Sequence, residues 1–248
     1  MKRIISLLLA GAMAATAAVA FTGCGCGNKK TTGNKGNQAG YSVVPTNPDL
    51  QDSEFGFYRI NNEELMVSSY FGSSKDIVIP ETFQNYKVTI VGHSLFNTPK
   101  FTIESVTIPD TVTEIQDYAF ASNKSLSKVK LSSNLKVIGN NAFWNCPKLE
   151  QIDIPASLNK IGVYAFSATG LTSVTIPESN TLTSLDQFVF FQSKNLKEVI
   201  LPPTVTNIAD DTFNQCADGL VIKGQPNSYA LSYAKLHGYQ AEELPAVQ

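Results

Sequence analysis

The 248-residue chain carries 19 Lys and Arg against 21 Asp and Glu, is 43% hydrophobic and 16% charged, and has a formal charge of −2. It holds no concentration of cations able to displace counterions from nucleic acid, so no nucleic-acid partner is expected. The average describes an ordinary soluble protein and conceals an unusual start.

Met1-Lys2-Arg3 opens with two cations and continues into an apolar run ending at Phe21. That is the pattern of a secretory signal peptide, residues 1–23, to be set aside from the fold. Phe21-Thr22-Gly23-Cys24 puts small residues ahead of a cysteine and resembles a bacterial lipoprotein box. The resemblance implies that Cys24 is diacylated through its sulfur, becomes the mature N-terminus and anchors the chain to the outer face of a bacterial membrane. Two acyl chains hold stably where one does not. Cys26, two residues on, has no expected role unless the processing site slips, in which case it is the modified residue. Removing Lys2 and Arg3 leaves 17 basic against 21 acidic residues, a mature charge of −4. Residues 24–54 are rich in Gly, Asn, Lys and Thr and read as a flexible tether averaging roughly 30 Å and reaching about 100 Å.

From residue 55 the pattern changes. Phe57-x-x-Ile60 and Leu65-Met66-Val67 predict a hairpin that covers the open end of the first repeat. Then one phrase is written six times. It is loose at Ile77-x-Ile79-Pro80…Leu95-Phe96, with an insertion around Gln84 to Lys87. Ile103-x-x-Val106-x-Ile108-Pro109…Ala119-Phe120, Leu126-x-x-Val129-x-Leu131…Ala142-Phe143 and Leu149-x-x-Ile152-x-Ile154-Pro155…Ala165-Phe166 repeat at 23 residues. Leu171-x-x-Val174-x-Ile176-Pro177…Val189-Phe190 carries two extra residues near Asn180, and Leu196-x-x-Val199-x-Leu201-Pro202…Thr212-Phe213 closes the series. A last strand is expected at Leu220-Val221-Ile222, then a helix from Pro226 to Leu236 stopped by Gly238. The repeat domain spans 55–240, and 241–248 is left as a tail.

A fixed period in this range marks a solenoid. Val106 and Ile108 alternate with polar residues, as in a short strand with one buried face. Pro, lacking an N–H, closes that strand. The next apolar pair turns inward, and Ala-Phe sets a small residue beside a large one. A single unit cannot bury these side chains; stacked units can.

These residues resemble the BspA-like, or treponemal-type, leucine-rich repeat family, whose pattern runs approximately L-x-x-I-x-I-P-x-x-V-x-x-I-G-x-x-A-F. Leu149 to Phe166 matches almost throughout, with Leu158 at the Val position, and the resemblance extends from about Gly56 to Gly238. Gln116, Asp186 and Ala209 stand in place of the Gly, and Ser132 in place of the Pro. The resemblance implies a right-handed, β-rich solenoid of parallel strands, with an N-terminal hairpin cap and a C-terminal helical cap. It also implies a bacterial surface protein of the adhesion or host-contact kind.

Chemistry finds little footing. His93 and His237 fall at opposite ends of the domain, too far apart to share a metal or a proton, and no nucleophile, zinc or phosphate-loop motif is present. No enzyme activity, cofactor or metal is expected. Cys146 and Cys216 both lie three residues after the repeat Phe, about 14 Å apart by strand count, too far for a disulfide. Asn123, Thr169 and Ser193 occupy the same position, so both cysteines are expected to be structural and reduced.

What remains is surface. Ser105 and Thr107, Lys128 and Lys130, Gln151 and Asp153, Ser173 and Thr175, Glu198 and Ile200 should face outward and align into a polar strip, the natural binding face of a solenoid. Lys128, Lys130, Gln151, Asp153 and Thr175 are the candidate contacts for a protein partner. A second candidate is an aromatic edge of Trp144, Phe191, Tyr118, Tyr164 and Phe188, of a kind that suits glycan or cell-wall recognition. The alternative to both is a spacer with no ligand.

Overall fold

The computed structural model describes residues 48–97, 102–178 and 181–245. The leader, Cys24, Cys26, most of the tether and the extra residues at Asn180 lie outside the described residues. The described residues belong to one compact unit, Val43–Gln248.

Each repeat stacks on the next along three lines. The first is the expected strand. Asp76–Val78, Ser105–Thr107 and Lys128–Lys130 pair in parallel, with Ile77 opposite Val106 and Val106 opposite Val129. Ser173–Thr175, Glu198–Ile200, Val221–Gly224 and Gln240–Glu243 continue the line. The second line runs through the Val-x-x-Ile pair. It joins Tyr86–Val91, Glu114–Ile115, Val137–Ile138 and Lys160–Ile161, and separately Ser184–Leu185 with Asn207–Ile208. Pro109, Pro155 and Pro202 link the two lines by accepting from the N–H three residues on, and Ser132 closes the same turn with Leu135.

The third line is the Ala-Phe turn, which has no strand geometry. At Phe120 and Phe143 the Phe N–H and the N–H groups two residues either side of it donate to the following repeat; at Phe166 and Phe190, among the described residues, only the Phe N–H and the one two residues on do so. Asn141, Phe143 and Asn145 reach the carbonyls of Val163, Ala165 and Ser167 at 2.8–2.9 Å. Presenting three N–H groups on one side requires the flanking residues to take the left-handed conformation. Tyr118, Ser122, Asn141, Asn145, Tyr164, Ala168, Phe188 and Gln192 all have φ between 54° and 62°.

Inside these lines the phenylalanines form a column. Phe96, Phe120, Phe143, Phe166, Phe190 and Phe213 are fully buried, with successive ring centroids 5.3, 5.2, 5.4, 5.8 and 5.5 Å apart and planes within 17°. The position three residues after the Phe serves the preceding turn in four cases, whereas Thr169 bonds to its own Phe166 carbonyl. Asn123 donates to the Phe96 carbonyl, Cys146 to that of Phe120, Ser193 to that of Phe166 and Cys216 to that of Phe190, at 3.0–3.3 Å.

Both caps extend the column. In the hairpin, Phe55–Arg59 pairs with Glu64–Tyr70, which joins the second line beside Tyr86–Val91. Tyr70 meets Phe96 at 5.5 Å. At the other end the helix Tyr229–Leu236 buries Ala230, Leu231, Tyr233 and Ala234. Tyr233 and Tyr239 pack their edges on Phe213, each at 6.1 Å. Gly238, with φ +77°, ends the helix by letting Tyr239 N–H return to the Ala234 carbonyl.

Three expectations are corrected. Leu50–Gln51 pairs antiparallel with Gly56 and Phe57, so the folded chain begins inside the segment assigned to the tether. Gln84 to Lys87 is no loose insertion: Gln84 and Asn85, both left-handed, turn Thr82–Phe83 back on Tyr86, as a two-residue hairpin requires. Residues 241–243, assigned to the tail, complete the strand Gln240–Glu243.

Phe143→Ala should cost about 3–5 kcal/mol, the usual loss on deleting a fully buried aromatic. Urea unfolding followed by circular dichroism would show the lowered midpoint, whereas Trp144→Ala, one residue away and 38% exposed, should shift it far less.

Candidate functional site

The first strand line is not continuous. Residues Gln151–Ile154 belong to no sheet, and among the described residues no backbone hydrogen bond joins them to Lys128–Lys130 or to Ser173–Thr175. Part of the reason is countable. Four residues lie between Phe166 and Leu171, where five lie between Phe120 and Leu126, Phe143 and Leu149, or Phe190 and Leu196. The shortened turn draws Gly170 so tightly against the previous turn that a Cβ there would stand 2.2 Å from the Pro147 carbonyl. Gly170 and Thr172 still reach Cys146 and Glu150, at 3.3 and 3.2 Å, and there the pairing stops. The second line breaks at the same junction, between Lys160–Ile161 and Ser184–Leu185.

The break leaves an open recess of about 320 Å³ lined by Gln151, Ile152, Asp153, Ile154, Ser173, Thr175 and Pro177. Ile152 and Ile154 are each 8% exposed, against 1–2% for Val106, Ile108, Val174 and Ile176. Aliphatic core is therefore slightly more open here than on those two rungs, and more open still one rung back. Next to it, Val129 and Leu131 are only partly buried. Gln151, Asp153 and Thr175 thus meet at one place, as the strip predicted, but around a gap and not on a flat sheet.

Lys128 and Lys130 border this gap, both exposed. Among the described residues, the ion pairs on this line use Lys75 with Glu104, and Lys223 with Glu198 and Glu242, and leave those two lysines out. Lys130 acts only at a distance: Asp110 is held below the usual carboxylate range by the Ser133 N–H and hydroxyl, with a smaller contribution from Lys130. Ile154 and Pro177 read as core and strand stop in the sequence, and the shortened 167–170 turn is the signal that could have placed them at a recess.

Trp144 lies elsewhere, on the turn line. There Tyr164 stacks flat on Phe188 at 4.7 Å, and Phe191 stands at right angles to both, at 6.0 and 5.4 Å. All three rings are half-buried and lie outside the phenylalanine column. Tyr118 is apart from them, edge-on to His93 at 5.7 Å. His237, at the other end, rests on Tyr233 and lies 3.5 Å from Asp210.

Residues 89–218 match the BspA type Leucine rich repeat region, in six copies. Among solved structures the chain is similar to a leucine-rich repeat protein of T. pallidum, with a TM-score of 0.59, 20% identity and coverage of 78% of this chain and 97% of that one. It is also similar to a leucine-rich repeat protein of Bacteroides ovatus, with a TM-score of 0.52 and 17% identity over 79% of this chain and 67% of that one. At such identities the likeness is one of fold. No curated protein matches the chain.

Cys146 and Cys216 are free thiols, and burial pushes each up to about 12. Both should stay unreactive toward a thiol-exchange reagent at pH 8 in the native protein and react fully in denaturant. In the unfolded chain they ionise near their ordinary value, while the fold keeps their protons. Stability should accordingly fall as pH rises from about 9 toward 12, measurable as a declining urea midpoint that Cys146→Ser moderates.

Proposed function

The chain belongs to the BspA-type leucine-rich repeat family, and on that premise we propose that it is a non-catalytic interaction module which holds a protein partner on its first strand line. Leucine-rich repeat solenoids serve as protein-interaction scaffolds, and their strand lines are their natural binding faces. The observation that carries the reading is the gap at Gln151–Ile154. An extended segment of a partner finds there what it needs: backbone groups with no ladder partner, aliphatic side chains at the floor, and Gln151, Asp153, Ser173 and Thr175 at the rim. Strand addition takes its affinity from such backbone groups and its specificity from neighbouring side chains. Lys128 and Lys130 favour an acidic stretch on the partner.

The chain from residue 24, carrying Cys24→Ser to keep it unlipidated, should retain a protein from a panel of host-surface proteins with saturable binding. Lys130→Glu should weaken that binding roughly tenfold or more, as loss of a charged contact does, without moving the melting temperature. A partner held equally by Lys130→Glu and Asp153→Lys would place binding elsewhere.

We also propose secretion and lipid anchoring through Cys24, on the strength of the leader and the Phe21-Thr22-Gly23-Cys24 box. Metabolic labelling with a palmitate analogue in a bacterial host should mark the wild-type chain. Cys24→Ala should remove the label and release the protein from the membrane fraction; a label that survives would move the anchor to another residue.

A further inference from the structure

The third line of stacking imposes a backbone conformation without dictating the side chain. Two residues before the repeat Phe, the left-handed conformation is taken by Ser94 and Asn141 as well as by Tyr118, Tyr164 and Phe188. Asn is at ease there, whereas a bulky side chain at positive φ is an outlier that calls for a reason. Core packing is not that reason. The column is already filled by Phe166 and Phe190, which are fully buried, and Tyr164, Phe188 and Phe191 sit outside it.

The arrangement of the rings supplies one. Tyr164 and Phe188 lie parallel within 5°, and Phe191 stands at 81–83° to them. The neighbouring positions on these turns include the amides Asn141, Asn145, Gln187, Gln192, Asn214 and Gln215, with Gln192 donating to Gln215 at 3.1 Å, and the carboxylate Asp211, which follows Phe188 in the same position one turn on. Trp144, two turns before Phe191 in the same position, adds an exposed ring about 10 Å along the line. Aromatic faces flanked by amides and by carboxylates that accept from hydroxyls and repel anions suit a ligand that has apolar C–H faces, many hydroxyls and no negative charge.

We infer that the turn line of the fourth and fifth repeats binds an uncharged saccharide, whose pyranose faces lie on Tyr164, Phe188 and Phe191 and whose hydroxyls bond to the flanking amides. This site is separate from the strand-line recess, and the two readings stand or fall independently.

The unlipidated chain from residue 24 would be run in native gels containing soluble starch, xylan, mixed-linkage β-glucan or heparin. At least one of the three neutral polymers should retard it and shift the emission of Trp144, the chain's single tryptophan. Tyr164→Asn with Phe188→Asn should weaken the retardation at least tenfold while the melting temperature holds or rises, because Asn suits the left-handed backbone. Lys130→Glu should leave it unchanged. Retardation by heparin alone, by none of the polymers, or undiminished in the double variant would overturn the inference. If the double variant melts lower, Trp144→Ala decides: lost retardation with an unchanged melting temperature supports the site, and full retardation overturns it.

Discussion

The column of phenylalanine rings is the constraint on which the rest of the chain depends. Each ring contacts the ring before and the ring after, so a repeat has no complete core of its own and gains one only from its neighbours. The column also sets the period. Every Phe must return to the same axis after one circuit, which tolerates 23 or 24 residues per turn, as Phe143, Phe166 and Phe190 demonstrate. Where the circuit is altered, the rings move little. Phe166 and Phe190 are the most widely spaced members at 5.8 Å, yet remain within 10° of parallel.

That priority explains where the solenoid opens. Between the fourth and fifth repeats one turn is a residue short and the next stretch two residues long. Keeping the rings in line, the chain absorbs the mismatch in the two strand lines, both of which lose pairing there. The turn line yields less: Phe166 and Ala168 still donate to Val189 and Phe191 at 2.9 and 2.7 Å, while Tyr164, unlike Tyr118 and Asn141, makes no such bond among the described residues. Each lost ladder bond costs about 0.5–1.5 kcal/mol net when its groups can reach water, whereas a displaced ring would forfeit several. The smaller loss is the one observed.

Most of the fold was legible because it rests on side-chain spacing. Alternation at Val106 and Ile108, the Pro that ends each strand and the Phe that recurs are all visible as letters, and both caps were announced by a loss of the period. Backbone conformation was not legible in the same way. Nothing in Tyr164 or Phe188 as residue types suggests a left-handed residue, since that conformation belongs to the position in the turn and not to local preference. Gln240–Glu243 was missed for a related reason: it has no buried alternation, every residue being exposed, and is a strand only because Val221–Gly224 offers it an edge. The recess was half legible. The outward residues Gln151, Asp153 and Thr175 followed from alternation, but the missing residue before Leu171 could be counted and its consequence could not, because the sequence does not say which of three lines gives way.

The same hierarchy separates two kinds of surface on one coil. On the strand lines, side chains are spaced by the ladder and the backbone is consumed by pairing, so a site that uses backbone groups must come from a defect. Gln151–Ile154 is such a defect, and its value to a partner lies in groups that every intact rung has already committed. On the turn line the Phe N–H and the N–H two residues on stay committed, also at the junction, where Phe166 and Ala168 donate to Val189 and Phe191, so a site there draws mainly on side chains. Tyr164, Phe188 and Phe191 contribute such side chains, on turns whose Phe166, Ala168, Phe190 and Gln192 N–H groups are engaged with the next repeat. The coil thus offers two kinds of candidate surface, one where a rung is left unpaired and one where a rung is decorated with rings. Both occur at the fourth and fifth repeats, where the column of phenylalanines continues and holds each in place.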